Sequence, residues 1–283
     1  MTDSFPLGDR SVHRVGYGAM QLAGPGAFGP PRDRDAALAV LRRAVELGVD
    51  HIDTAQYYGP GVVNDLIREA LFPYPEGLAL VSKVGAVRDA EGRWLPALAP
   101  DQLRAGVADN LRALRVNRLD VVNLRLMDDG QEFDEQLEAM ISIRDEGLIS
   151  GIGLSNVSVE QLVHAVQRTE IVCVQNPLNL LERGSLPVLR ECEQLGIAFV
   201  PFFPLGSAFG EANRLLTHPG VEATAERLGA TPSQVALAWL LDLAPNVLLI
   251  PGTSSLSHLE ENVAVAGVRL DDDARKVLDA VPL

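Results

Sequence analysis

The chain is poor in cysteine. It has two, Cys173 and Cys192, which is too few for a disulfide framework, and neither lies in a Cys-x-x-Cys pair. They read as two buried thiols of a reducing compartment. No uninterrupted apolar run reaches the roughly 18 residues that a membrane-spanning helix needs. The opening MTDSFPLGDR lacks the basic start and apolar run of a secretory signal, so a cytoplasmic protein is expected. Cations are also scarce: 24 Lys and Arg stand against 38 Asp and Glu, a net charge of −14. That balance argues against nucleic acid or anionic membrane as the main partner, because phosphate surfaces are bound by a Lys/Arg surplus. The five histidines (His13, His51, His164, His218 and His258) show no metal-ligand spacing, so no metal is expected. No low-complexity linker or short repeat divides the chain.

With 47% hydrophobic and 22% charged residues, the composition is that of a globular protein able to bury a large core. β-rich runs fall at residues 15–20, 49–55, 78–84, 119–126, 149–155, 171–175, 197–203 and 247–250. Amphipathic helical patterns alternate with them, among them 35–47, 101–114, 134–146 and 186–195. Asp101, after Pro100, is expected to be an N-cap, and Gly48 and Gly196 to close two helices in the left-handed conformation. Eight strands alternating with helices predict an α/β fold, a (β/α)₈ TIM barrel spanning residues 1–283 as one domain. Residues 5–12, with Gly8-Asp9 at the centre, predict a hairpin that plugs the bottom of the barrel. Residues 271–281 predict an extra C-terminal helix with an acidic start. A Rossmann sheet is the competing fold, because Gly24-Pro25-Gly26-Ala27-Phe28-Gly29 spells G-x-G-x-x-G. A phosphate cradle needs a helix that begins within those glycines, whereas here Pro30-Pro31 follow and helical patterning starts only near Asp33. The segment therefore reads as a flexible loop at the barrel mouth.

Barrel chemistry sits where strands end at the C-terminal face. Asp53, Tyr58, Lys83 and Arg125 fall at such ends. Singly, each has an ordinary explanation: a turn cap, packing beside Gly59, a solvated strand end, or pairing of Arg125 with Asp128 or Asp129. Together they make an acid. An ammonium beside a phenol favours the phenolate and lowers its pKa, while a carboxylate keeps the ammonium charged and oriented. Such a phenol could protonate a developing alkoxide.

Asp53-Thr54-Ala55 with Tyr58-Gly59, and Val81-Ser82-Lys83-Val84-Gly85, resemble the signature of the aldo-keto reductases. The likeness runs from Gly16-Tyr17-Gly18-Ala19-Met20 to Glu261-Asn262. The resemblance implies a nicotinamide cofactor bound without a Rossmann fold and reduction of a small carbonyl substrate, with Tyr58 as proton donor tuned by Lys83 and Asp53. It also implies cofactor contacts at Gly18, Met20 and Asp53. Ser155 and Asn156, in Gly153-Leu154-Ser155-Asn156, would hydrogen-bond the nicotinamide carboxamide, and Gln175 would hold its other side. In Pro201-Phe202-Phe203-Pro204-Leu205-Gly206, Phe202 would stack on the nicotinamide, whereas Phe203 reads as ordinary core. The stretch Pro204, Leu205, Gly206 and Ser207 would meet the pyrophosphate. Gly252, Ser254, Ser255 and His258 would lie at the 2′-phosphate, and Glu261 and Asn262 at the adenine. Some family members carry Lys at Gly252 and Arg at His258, so NADPH is expected here with a thin cationic grip. The alternative for Ser254–His258 is simply the start of a helix, with the serines as caps.

Arg125 departs from the pattern, since most members have His there. Arg cannot shuttle a proton near neutrality, so it is expected to polarise the carbonyl. Leu22-Ala23-Gly24-Pro25-Gly26 and Asn123-Leu124-Arg125 look closest to bacterial pyridoxal reductase-like members, which implies NADPH-dependent reduction of pyridoxal to pyridoxine. The alternatives are another small carbonyl, or a nicotinamide-binding regulatory barrel with little turnover. A hydrolase reading of Gly153-x-Ser155 fails because Val157 replaces the second glycine of a nucleophile elbow. The sequence leaves the oligomeric state open.

Overall fold

The computed structural model describes residues 4–127, 132–206 and 213–282. Two strands, β1 (Ser4–Leu7) and β2 (Arg10–His13), form an antiparallel hairpin in which Leu7 faces Arg10, leaving Gly8-Asp9 as a two-residue turn. The barrel then starts with β3 (Tyr17–Gly18), followed by α1 (Arg34–Glu46), β4 (His51–Asp53), α2 (Val62–Leu71) and β5 (Ala79–Arg88). After β6 (Trp94–Ala97) come α3 (Pro100–Leu114), β7 (Leu119–Arg125), α4 (Phe133–Asp145), β8 (Ile149–Ser155) and α5 (Val159–Val166). Next are β9 (Cys173–Gln175), α6 (Leu186–Leu195), β10 (Ala198–Phe199), α7 (Asn213–Leu216) and α8 (Pro219–Leu228). The chain closes with α9 (Pro232–Leu243), α10 (Leu256–Ala264) and α11 (Asp272–Asp279).

The parallel sheet runs β10-β9-β8-β7-β5-β4-β3. Residues 247–250 fill the eighth position through isolated bridges. Val247 pairs with Phe199 on one side and Leu249 with Val15 on the other, and the Gly16 amide donates to the Leu249 carbonyl at 2.8 Å. The ring therefore closes without a full eighth strand. The seventh is also shorter than the pattern over 197–203 predicts. Pro201 has no N–H to donate, and Phe202 reaches Pro177 only as an isolated bridge.

Two hydrophobic layers result. Inside the barrel, Val81, Val121, Ala198 and Leu248 pack with Leu7 and Val12 of the hairpin, which plugs the bottom as expected. The Arg10 Nε latches it by donating to Asp120 Oδ1 at 2.6 Å, while Asp120 Oδ2 accepts the Leu80 amide. Outside, the apolar helix faces cover the strands in a single larger cluster. The C-terminal helix is capped by Asp271, which accepts from the Ala274 amide. For α3 the expected Asp101 cap is corrected. Pro100, whose fixed φ suits the first helical position, starts the helix one residue earlier, so Ala99 is the cap and Asp101 lies in the first turn.

The G-x-G-x-x-G segment is a 3₁₀ turn at Pro25–Ala27, and α1 begins only at Arg34 behind its Asp33 cap, so it offers no helical phosphate cradle. Arg88 pins this loop by donating to the carbonyls of Gly26 and Ala27, both at 3.0 Å. One close approach at the strand start is testable. A Cβ on Gly16 would lie 2.2–2.4 Å from the buried His51 ring. Gly16→Ala is therefore expected to lower unfolding free energy by about 1–3 kcal/mol, as overpacking does, seen as a lower denaturation midpoint with an unchanged slope.

Candidate active site

The end of β4 and the middle of β5 bring a carboxylate and an ammonium together inside the protein. Asp53 is 3% exposed and Lys83 is 2% exposed. Lys83 Nζ donates to Asp53 Oδ1 and, at 3.0 Å, to the Thr54 carbonyl. The other carboxylate oxygen accepts from Gln175 Nε2 at 2.6 Å, so β9 joins the pair. Tyr58 sits in the loop after β4, its amide donating to the Ala55 carbonyl, and its ring centroid lies 5.2 Å from Lys83 Nζ. Gly59 follows because its φ is +69° and a Cβ would fall 2.8 Å from the Gly29 carbonyl. A buried polar relay backs the pair. Thr54 Oγ1 donates to Asn64, Asn64 Nδ2 and Ser82 Oγ both donate to Asn110 Oδ1, and Asn110 donates to Gln56. The relay fixes Thr54, and with it one acceptor of the ammonium.

The expectation of an acidified phenol is corrected. Burial pushes the Tyr58 hydroxyl well above the ordinary tyrosine range, the Asp53 charge adds to this, and only Arg125 opposes it. Removing a phenolate from water outweighs the neighbouring cations.

These groups line a cavity of about 550 Å³ with Gly18, Met20, Arg125, Phe202, Pro204, Leu205, Gly206 and Gly252. Its rim needs glycine at two facing positions, since a Cβ on Gly18 would lie 2.4 Å from the Ile250 carbonyl and one on Gly252 2.6 Å from the Gly18 carbonyl. The Tyr17 hydroxyl donates to the Thr253 carbonyl at 2.6 Å and ties the same two segments. Phe203, read as core, lines the cavity instead, at φ +54° and edge-to-face with Phe202 at 5.0 Å.

Other expected positions lie outside this cavity. Ser155 and Gln175 face each other across β8 and β9, and both Ser155 Oγ and Gln175 Oε1 are buried without a hydrogen-bond partner. Asn156 is exposed, at φ +62°, with its side-chain amide on the Leu126 carbonyl at 3.1 Å. Ser255 is the N-cap of α10, as the ordinary reading had it, and His258 is exposed on that helix. Ser254 borders a neighbouring cavity of about 400 Å³, where Arg32 is the one cation among the described lining residues. The Glu261 carboxylate accepts from Thr231, and Asn262 is buried. Ser207, and the Asp128 and Asp129 considered as partners of Arg125, lie outside the described residues.

Two features were not foreseen. The strand β5 runs past the barrel and pairs with β6 in a hairpin that brings Trp94 into the cavity wall, edge-on to Tyr57 at 5.3 Å. Its sequence signal was the turn at Asp89–Arg93, where the Asp89 carboxylate accepts the amides of Glu91 and Arg93. The second is Arg32, which only the folded first loop places beside Ser254.

Residues 14–282 match the model of the aldo/keto reductase family. The chain belongs to the aldo/keto reductase family. Among its relatives, pyridoxine 4-dehydrogenase of Escherichia coli (strain K12) is 49% identical over 286 aligned residues, covering 99% of this chain and 98% of that protein. A solved thermostable aldo-keto reductase in complex with the inhibitor epalrestat superposes with a TM-score of 0.83 at 29% identity, covering 98% and 99%. An aldo/keto reductase from Klebsiella pneumoniae, solved with NADP and acetate, gives 0.82 at 25% identity, covering 99% and 95%. Within this aldo/keto reductase, no helix among the described residues is long and apolar enough to cross a membrane, and no described group of His, Cys, Asp or Glu is placed to hold a metal.

Proposed function

We propose that this aldo/keto reductase reduces an aldehyde to an alcohol with NADPH, that pyridoxal is its substrate and pyridoxine its product, and that Tyr58 delivers the proton. The observation that carries this reading is the buried Lys83–Asp53 pair beside the Tyr58 ring in the wall of a cavity of substrate size. The choice of pyridoxal rests on the likeness to the Escherichia coli enzyme. One barrel domain fits the extent of the family match, and two buried free thiols fit a cytoplasmic setting.

The residues present suit the cofactor. Gln175 Oε1 is an orphaned buried acceptor and Ser155 Oγ an orphaned hydroxyl, the complement of a carboxamide. Phe202 offers a ring face for the nicotinamide, the Pro204–Gly206 turn and Ser207 would meet the pyrophosphate, and Ser254, with Arg32 and His258, the 2′-phosphate. NADPH, when bound, supplies the hydride. Tyr58, held as a neutral phenol, gives its proton to the carbonyl oxygen as the new C–H bond forms at the carbonyl carbon. Arg125 stabilises the charge growing on that oxygen. Lys83 then offsets the charge left on the phenolate, and Asp53, fixed by Gln175, keeps Lys83 in place.

Turnover tests the reading: NADPH absorbance is expected to fall when pyridoxal is added, and more slowly with NADH. Tight NADPH binding without turnover of any aldehyde would point to the regulatory barrel instead. The raised Tyr58 pKa sets the pH dependence. A proton donor is present below its pKa and lost above it, so kcat for reduction is expected to stay level from about pH 6 to about pH 9. Oxidation of the alcohol needs the phenolate and should rise across the same range. A reduction rate that falls with a midpoint near neutrality would contradict the assignment.

A further inference from the structure

Arg125 lies at the C-terminal end of β7 in the wall of the same cavity as Tyr58 and Lys83. Its Nε is buried and has no hydrogen-bond partner. Its guanidinium carbon stands 5.7 Å from the Phe202 ring centroid and 5.9 Å from that of Trp94. Trp94 is itself stacked by Arg88 at 4.1 Å. The rings attract the cation but accept none of its in-plane N–H bonds. Asp53 is the one carboxylate among the described residues lining the cavity, and its oxygens are taken by Lys83 and Gln175. A permanent cation with a planar set of donors therefore faces the reacting centre between two aromatic walls, with its natural counter-ion missing from the described wall.

Two oxygens suit that fork better than one. Tyr58 already serves the carbonyl oxygen, so Arg125 has donors left for a second oxygen close to it, and the rings favour a flat substrate. We propose that Arg125 selects aromatic aldehydes that carry an ionised hydroxyl on the ring carbon next to the carbonyl-bearing one, binding that phenolate oxygen together with the carbonyl. The proposal deepens the aldehyde-reductase reading and rests on it, and pyridoxal has this arrangement. A histidine at this position would supply one donor from a given ring nitrogen, and a permanent charge only when protonated.

A matched pair of substrates tests it. 2-Hydroxy-5-nitrobenzaldehyde is ionised at neutral pH, and 2-methoxy-5-nitrobenzaldehyde has no acidic proton. The wild-type enzyme with NADPH is expected to show a KM about 10- to 100-fold lower for the hydroxy compound, the size of a charge-assisted hydrogen bond. Arg125→Met lowers turnover of both, and the KM ratio between them is expected to collapse toward one. Arg125→Lys, which keeps the charge without the fork, should restore part of it. A second measurement needs no variant. The yellow phenolate of 2-hydroxymethyl-4-nitrophenol, the alcohol product, should appear at lower pH when bound to the wild-type enzyme than when free. Equal KM values for the two aldehydes in the wild type, an unchanged ratio in Arg125→Met, or an unshifted titration of the bound product would each overturn the proposal. If neither these nor any other aldehyde is turned over, the reductase reading itself fails and the proposal falls with it. If other aldehydes are reduced and the hydroxyl is ignored, the reading stands and this selection alone is wrong.

Discussion

Tyr58→Phe is expected to reduce kcat for aldehyde reduction by about 10²- to 10⁴-fold, the contribution of a positioned general acid, while the Kd for NADPH changes little. Phe keeps the ring, so the contact with Lys83 Nζ at 5.2 Å and the edge-to-face packing on Tyr57 at 5.4 Å are preserved. Only the hydroxyl is lost. The measurement is single-turnover reduction at saturating aldehyde, with cofactor binding followed separately. A variant that retains most of the wild-type rate would remove Tyr58 from its role and leave Arg125 as the only cation or acid in the described wall free to serve the carbonyl oxygen.

Lys83→Met should have the larger effect on the fold. Lys83 and Asp53 are almost wholly buried, and the ammonium is the only cation among the described residues that Asp53 pairs with. Removing one partner of a buried ion pair strands the other charge, which costs about 3–5 kcal/mol, or a fall in Tm of roughly 6–10 °C for a chain of this size. Activity should fall as well, because the phenolate left by proton transfer loses its nearest compensating charge. Adding Asp53→Asn to Lys83→Met removes the stranded carboxylate and is expected to recover part of the stability but none of the turnover. Thermal melts of the three variants check the first point, and NADPH consumption the second. Equal melting temperatures for wild type and Lys83→Met would show that the pair contributes no net stability.

Arg88 and Trp94 show where sequence reading stopped. The barrel strands were visible because buried parallel strands are short apolar runs that can be counted. The end of β5 was not, because past the barrel it pairs only with a four-residue partner whose own pattern is weak. The closing residues 247–250 were legible as a strand, yet they hold their place by single bridges to Phe199 and Val15. Among the site residues, Asp53 stands at the end of β4 as read, whereas Lys83, read as a strand end, lies midway along β5 because that strand runs on past the barrel, and the structure joins the two. Ser155 and Gln175 were placed by resemblance, while their shared condition, two buried and unpaired polar atoms, exists only in the folded chain.

What the amino-acid order alone determined is the alternation of strand and helix, the plug hairpin set by its Gly8-Asp9 turn, and which strands carry Asp53, Lys83 and Arg125. All of these follow from periodicity and turn chemistry acting over a few neighbouring residues. Tertiary structure decided the electrostatics. Lys83 meets a carboxylate 30 positions earlier and Gln175 the same carboxylate from 122 positions away. Tyr58 is made a weaker acid by what is packed around it. Desolvation depends on every atom that excludes water from a group, and that enclosure is formed only when distant segments close over it.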